Sequence, residues 1–173
     1  MNVWYSLSDI PGNEASVVTI GNFDGMHNGH KKVISTCIER AHKLGVDAVA
    51  ITFDPHPIQV HKPEVGLQLI SPLCDRLDAM GAAGLDGTLV AHYDASVYSL
   101  EADEFVYEYL VERCGAREVV VGEDFRFGRG NAGTIDTLRE LGRRYGFNVI
   151  TVTDIEAPEG RRWSSSWVRE LLA

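Results

Sequence analysis

The sequence contains little cysteine. Its 173 residues include three cysteines, Cys37, Cys74 and Cys114, which are widely spaced and form no C-x-x-C pair. This scarcity argues against a disulfide framework and favours a reducing compartment. Each cysteine falls in a stretch with helical character, so we expect all three to be small buried side chains without a chemical role.

Basic residues and long apolar runs are also scarce. The formal net charge is -9, which argues against a broad nucleic-acid-binding face because such faces are basic. No apolar run is long enough to span a bilayer, and residues 1–10 lack the basic start and apolar centre of a signal peptide. The sequence therefore predicts a cytoplasmic protein with neither nucleic acid nor membrane as a partner.

Alternating strand and helix patterns dominate what is present. The length fits one domain over residues 1–173, and 45% hydrophobic residues are enough for a core. Strand patterns occur at 16–20, 47–53, 86–91, 118–121 and 147–152, and helical patterns at 28–44, 71–80, 101–114, 134–145 and 164–172. The aperiodic segment 54–70 is predicted to be a long loop. This alternation predicts an α/β fold, with a doubly wound, mostly parallel five-stranded sheet and helices on both faces.

The segment GNFDGMHNGH, residues 21–30, connects the first predicted strand to the first predicted helix. Glycines let the backbone approach a ligand closely, and the helix that follows presents free N–H groups. His27 and His30 would lie on one side of that helix terminus, where both can donate to phosphate oxygens. The segment therefore predicts a nucleotide-phosphate site, and its assigned ATP-binding residues are Gly21, Phe23, Asp24, Gly25, Asn28 and Gly29.

Two other roles are open to these histidines. Histidines at this spacing can bind a metal, but no third ligand stands at a matching spacing nearby, and we predict no metal site. They can also be ordinary helix-start residues. The strand, the GxFDGxHxGH segment and the helix together resemble the nucleotidyltransferase superfamily with the H-x-G-H signature, which transfers a nucleotidyl group by attack at an α-phosphate.

Two further loops follow strands and carry aromatic residues, TFDPHP at 52–57 and GEDFRFG at 122–128. Phe53, Phe125 and Phe127 can face a flat ring, or they can plug the end of the core. Both loops resemble the adenylyltransferase module of prokaryotic bifunctional riboflavin kinase/FMN adenylyltransferases, and the likeness runs from about Val17 to Arg169. The resemblance implies that Asp124 approaches the nucleotide and that FMN is bound by Phe53, Asp54, Pro55, His56, Pro57, Phe125 and Phe127.

The segment WSSSWVR, residues 163–169, resembles the last motif of that family, I-S-S-T-x-I-R. Hydroxyls at a helix start and an arginine one turn later suit a triphosphate, although a serine cap and a surface arginine would give the same pattern. The resemblance implies that Ser165 and Ser166 bind ATP and that Arg169 acts with His27 and His30. Three residues depart from the family pattern. They are Ser166 in place of threonine, Trp163 in place of isoleucine, and His61 where a more hydrophobic flavin-loop residue is expected.

The resemblance implies transfer of AMP from ATP to FMN, which gives FAD and pyrophosphate. Mg²⁺ is expected to arrive with ATP, because this ion usually keeps several waters and needs few protein ligands. Other phosphorylated acceptors, such as phosphopantetheine or nicotinamide mononucleotide, and a non-catalytic flavin- or nucleotide-binding domain are the alternatives. No segment resembles the riboflavin kinase module. Besides ATP and FMN, the candidate partners are a riboflavin kinase module and a second copy of the chain.

Overall fold

One six-stranded sheet organises the computed structural model, which describes residues 1–12, 14–153 and 156–172. The sheet order is β1-β4-β3-β2-β5-β6, and each neighbouring pair is parallel. The doubly wound α/β class is confirmed. The strands are β1 Asn2–Trp4, β2 Ser16–Ile20, β3 Asp47–Asp54, β4 Gly87–His92, β5 Ala116–Gly122 and β6 Asn148–Val152.

The predicted count of five strands is wrong because β1 also joins the sheet. It pairs with β4, and Val3 lies opposite Thr88. Three residues are too few to show the two-residue period by which a strand is recognised in a sequence. The pairing depends on a distant partner, since the Trp4 ring lies over Gly87 where a side chain would otherwise stand.

Helices lie between the strands, and most follow the predicted pattern. They are α1 Asn28–Leu44, α2 Pro57–His61, α3 Leu73–Ala83, α4 Ala95–Tyr98, α5 Ala102–Phe105, which continues as a π-helix over Val106–Arg113, α6 Ile135–Tyr145 and α7 Ser165–Leu172. As predicted, α1 and α6 end at glycines in the left-handed conformation, Gly45 and Gly146. Of the described helices, none has both the length and the apolar character needed to cross a membrane.

Two local predictions around segment 54–70 are wrong. The segment contains α2 and a 3₁₀ turn at Pro63–Val65, which are too short to produce a detectable period. The next helix begins at Leu73, with Pro72 as its N-cap. The predicted start at residue 71 is thus two residues early, and the hydroxyl of Ser71 instead accepts a hydrogen bond from the backbone N–H of Gly25 at 3.2 Å.

Each face of the sheet has its own core, because successive strand residues point to opposite sides. In β2, Val17 packs with the cluster that contains α1 and α3, while Val18 packs with the π-helix and α6. Burial raises the pKa of Cys37 and Cys114 to about 12, as suits structural thiols. Cys74 is exposed, contrary to the prediction, because it lies on the solvent side of the first turn of α3.

The functional edge of the sheet is set by β2. This strand pairs with β3 on one side and β5 on the other, so the winding reverses there. The loops after β2, β3 and β5 leave at the same edge, because the three strands are parallel. Such a reversal opens a crevice at the carboxyl ends of the strands, where α/β proteins bind ligands.

Candidate functional site

We call the loop between β2 and α1, residues 21–27, the histidine loop, and it is built into the core. Phe23 is only 2% exposed and packs in the cluster on the α1 side of the sheet. Phe23 and Met26 have positive φ angles of 52° and 41°, which non-glycine residues adopt at a cost. Gly25 has a φ of 80°, and a Cβ there would lie 2.9 Å from the Ile70 side chain. The loop is therefore fixed by packing.

His27 of this loop is in direct contact with His30 of α1. His27 caps α1, and its Nδ1 accepts a hydrogen bond from the backbone N–H of His30 at 3.3 Å. The two rings stack with centroids 3.6 Å apart. A Cβ on Gly29 would lie 2.8 Å from Cε1 of His27, so the glycine between them leaves room for that ring. Because Nδ1 of His27 accepts, its neutral ring carries its proton on Nε2 and can donate from there.

Both imidazoles are held neutral at neutral pH. Burial, with His27 as a second cause, lowers the pKa of His30 to about 3. Burial and the nearby Arg162 lower the pKa of His27. Within the described part of the chain, the buried Nδ1 of His30 has no hydrogen-bond partner. An anionic ligand beside the rings would offset the cost of charging them.

Asp24 connects the loop to two distant parts of the chain. It is 1% exposed and accepts hydrogen bonds from the backbone N–H groups of Ile70 at 3.0 Å and Ser71 at 3.1 Å. Its carboxylate also forms an ion pair with Arg169. Asp24 thus holds the loop in place from inside, and its predicted contact with ATP stays a prediction.

Helix α7 reaches the same loop. Ser165 donates to the backbone carbonyl of Asp24 at 3.0 Å, and Nε of Arg169 donates to the carbonyl of Gln68 at 2.9 Å. Ser166 is exposed beside them. Ser164 accepts from the backbone N–H of Trp167 at 3.1 Å and so caps the helix. The arginine is mostly buried, so the interpretation of Arg169 as a plain surface residue is wrong.

An aromatic cleft of about 340 Å³ adjoins the histidine loop. It receives residues from the loops after β2, β3, β4 and β5, and it continues into a wider groove lined by His61, Tyr93 and Tyr98. Residues of the predicted flavin set and of the histidine loop meet there, whereas Asp54 and Pro55 lie outside its lining. The lining includes Gly21, Asn22, Phe53, His56, Pro57, Phe125 and Phe127.

The aromatic residues of the cleft divide between core and surface. Phe125 and Phe127 stack with centroids 5.5 Å apart, and Phe127 is 6% exposed and packs against Phe105. Phe127 therefore closes the end of the core while one edge lines the cleft. Phe53 meets Tyr93 edge to face, with centroids 5.7 Å apart. Phe53 and Phe125 remain partly exposed, so each can contact a flat ring bound in the cleft.

His56 and Asp124 have clear local partners. His56 is 7% exposed, and its Nδ1 accepts from the backbone N–H of Ile58 at 3.1 Å, which caps α2. Burial lowers its pKa. Asp124 is exposed and forms an ion pair with Arg162, which connects the loop after β5 to the segment before α7. Neither contact tests the predicted role of these two residues.

Sequence reasoning missed three residues of this region. Arg76 of α3 is 1% exposed and donates to the backbone carbonyl of Asn22 at 2.7 Å. Arg76 stands on the apolar side of α3, between Leu73 and Met80. Arginine is rarely buried, so an arginine at a core-facing position was a detectable signal of a specific role. Tyr93 and Tyr98 follow β4 and extend the aromatic cleft. Tyr93 carries the same signal that marked Phe53, an aromatic residue close to the carboxyl end of a strand.

Comparison with known proteins agrees with this geometry. Residues 9–167 match the FAD synthetase family. A putative bifunctional riboflavin kinase/FMN adenylyltransferase of Geobacillus thermodenitrificans (strain NG80-2) is 38% identical over 94% of this chain and 84% of its own length. The bifunctional riboflavin kinase/FMN adenylyltransferase of Pseudomonas fluorescens is 36% identical over 94% of this chain, which spans about half, 52%, of that protein.

A solved structure shares the fold across the chain. It is described as a macrolide-efflux protein from Streptococcus pneumoniae, is 26% identical and superposes with a TM-score of 0.82. The match covers 98% of this chain and 56% of that one. The sequence match extends over the histidine loop, the aromatic cleft and the first turn of α7, so the chain belongs to the FAD synthetase family.

Proposed function

We propose that this chain transfers AMP from ATP to FMN, giving FAD and pyrophosphate, in the cytoplasm. The observation that carries the proposal is the shared wall of the aromatic cleft. Gly21 and Asn22 of the histidine loop line the same cleft as Phe53 and Phe125. A flat ring bound between the aromatic residues would thus have its phosphate tail close to the start of α1, where anions are favoured.

The reaction needs alignment more than proton removal. The phosphate of FMN has a second pKa of about 6 and is largely dianionic at neutral pH. One of its oxygens attacks the α-phosphorus of ATP, and the bond from that phosphorus to the bridging oxygen of the β-phosphate breaks. Pyrophosphate leaves with the electron pair. The chain orients the two phosphates and stabilises the charge that develops between them.

Each side of the crevice contributes hydrogen-bond donors that stabilise the negative charge on the reacting phosphates. Neutral His27 and His30 supply imidazole N–H groups at the start of α1, together with the free backbone N–H groups of the helix. Ser165, Ser166 and Arg169 supply hydroxyls and a positive charge on the side of the departing β- and γ-phosphates. Mg²⁺ would be bound as part of the ATP substrate and would help to neutralise the charge on the phosphates.

A product assay tests this function. The chain is incubated with ATP, Mg²⁺ and FMN, and FAD and pyrophosphate are measured, with riboflavin, nicotinamide mononucleotide and 4'-phosphopantetheine as parallel acceptors. FAD and pyrophosphate in equal amounts from FMN is the expected result. Product from phosphopantetheine alone would contradict the proposal. Binding of FMN and ATP without turnover would support the non-catalytic alternative.

A histidine variant tests the proposed mechanism. Replacing His30 with alanine is expected to lower turnover about tenfold or more, a loss of about 1.4 kcal/mol in transition-state stabilisation. The matched control is His42→Ala, because His42 lies on the same helix but is exposed near its far end. Equal turnover in the two variants would remove His30 from the mechanism.

A further inference from the structure

A buried arginine lies beneath the two loops that form the crevice. Nη1 of Arg76 donates to the backbone carbonyl of Asn22 at 2.7 Å and to Oγ1 of Thr52 at 3.4 Å. Its Nη2 lies 3.9 Å from the carboxylate of Asp54. Among the described residues, nothing accepts a hydrogen bond from its Nε or Nη2, although the side chain is almost entirely inaccessible.

The partners of Arg76 belong to two different loops. Asn22 lies in the histidine loop, while Thr52 and Asp54 lie at the end of β3, just before the loop that carries His56. Thr52 also donates to the carbonyl of Asn22 at 3.2 Å. Arg76 and Thr52 therefore both donate to the carbonyl of Asn22. This junction of three residues sets the distance between the histidine loop and the end of β3, on the side of the cleft where FMN would bind.

Stability alone does not account for an arginine at this place. A buried guanidinium with unsatisfied N–H groups is costly, and apolar residues of similar size often stabilise such positions better. The amide oxygen of Asn22 is also buried without a hydrogen-bond partner in the described part of the chain. The region thus keeps several costly polar groups at the point where the two substrates would meet.

We propose that Arg76 is a positioning residue that fixes the histidine loop relative to the loop that follows β3. This inference rests on the proposed adenylyl transfer, because the two loops would hold the two reacting phosphates. Arg76 does not line the cleft, so it acts through Asn22 and Thr52. A misplacement of about 1 Å between reacting groups costs roughly a hundredfold in rate, while each substrate still binds to its own loop.

Steady-state kinetics of two substitutions test the role. Arg76→Met removes the charge and the donors but keeps an unbranched side chain that fills the place of the arginine stem. It is expected to lower kcat about tenfold or more, with KM for ATP and for FMN each changed less than about threefold. Arg76→Lys keeps one charged donor and is expected to recover most of that loss. Arg139→Met is the control, because Arg139 is a half-exposed arginine of α6.

Amide hydrogen exchange provides a readout that needs no turnover. In Arg76→Met, the amides of residues 21–27 are expected to exchange about tenfold faster than in the wild type, while those of α6 stay unchanged. Thr52→Val removes the second donor to Asn22 at nearly constant shape. Thr52→Val should also speed amide exchange at residues 21–27, but by a smaller factor. It replaces Arg76→Met as the test variant if the Arg76→Met protein does not fold.

The outcomes separate this proposal from the proposed function. If the wild type makes no FAD, adenylyl transfer fails, and exchange at residues 21–27 still decides whether Arg76 positions the loop. Unchanged exchange in the folded Arg76 and Thr52 variants would overturn the positioning role. A large rise in KM for FMN with kcat unchanged would also overturn it, because Arg76 would then be a substrate ligand.

Discussion

The buried His30 makes the stability of the protein depend on pH. Its pKa is about 3 in the folded state against 6.5 for an unperturbed histidine. Below pH 6.5 the imidazole of His30 is therefore protonated in the unfolded chain but stays neutral in the folded chain. The stabilisation is fully present above pH 6.5 and is lost progressively as the pH falls towards 3.

The size of this effect follows from the pKa difference. At about pH 4.5 the medium is about two units below the ordinary pKa, and each unit corresponds to about 1.36 kcal/mol. His30 alone should thus remove about 2.7 kcal/mol from the free energy of unfolding between about pH 7.5 and pH 4.5. We propose to measure this by urea unfolding at several pH values, with the wild type and His30→Asn compared.

The variant separates His30 from the acidic residues that also titrate. The difference in the free energy of unfolding between wild type and His30→Asn should shift by about 2.7 kcal/mol across that pH range, in favour of the variant in acid. His42→Asn, at an exposed position on the same helix, should follow the wild type. Parallel curves for wild type and His30→Asn would show that the His30 ring is solvated or already charged, and the reasoning would fail.

Three further substitutions give independent tests. Gly29→Ala places a methyl group against the His27 ring and should lower turnover about tenfold. Gly12→Ala is the control and should leave turnover unchanged, because the added Cβ would come no closer than 3.9 Å to a residue outside its own chain neighbours. Asp24→Asn weakens a buried ion pair and should lower the free energy of unfolding, measured in urea, by about 3 kcal/mol; a change below about 0.5 kcal/mol would contradict the buried pair. Phe125→Ala should raise KM for FMN about tenfold and leave KM for ATP within about twofold, and equal changes in both would remove Phe125 from the flavin side.

The fold class and the histidine loop were readable from the sequence because both depend on local pattern. The alternation of strands and helices requires parallel crossovers, and this fixed the class without knowledge of strand order. The order of glycines and histidines at 21–30 likewise places both imidazoles at one helix start. In the structure the rings stack and His27 caps α1, as that spacing allows.

Other features depend on contacts between residues far apart in the chain. Strand β1 pairs with β4, and its three residues are too few to show the alternating pattern from which a strand is predicted. Asp24 accepts from Ile70 and pairs with Arg169, and those partners lie 46 and 145 residues away. Local sequence cannot distinguish a carboxylate that faces a ligand from one that holds a loop. For the same reason, the junction of Arg76 with Asn22 was not predicted.

The burial of Phe23 has a consequence for how the protein inactivates. This side chain is part of the core, yet its neighbours in the loop, Asp24 and His27, belong to the candidate site. In many enzymes the binding loops loosen well below the unfolding temperature. Here the histidine loop cannot loosen without withdrawing Phe23 from the core, so heating should abolish nucleotide binding and the folded core together, in a single transition.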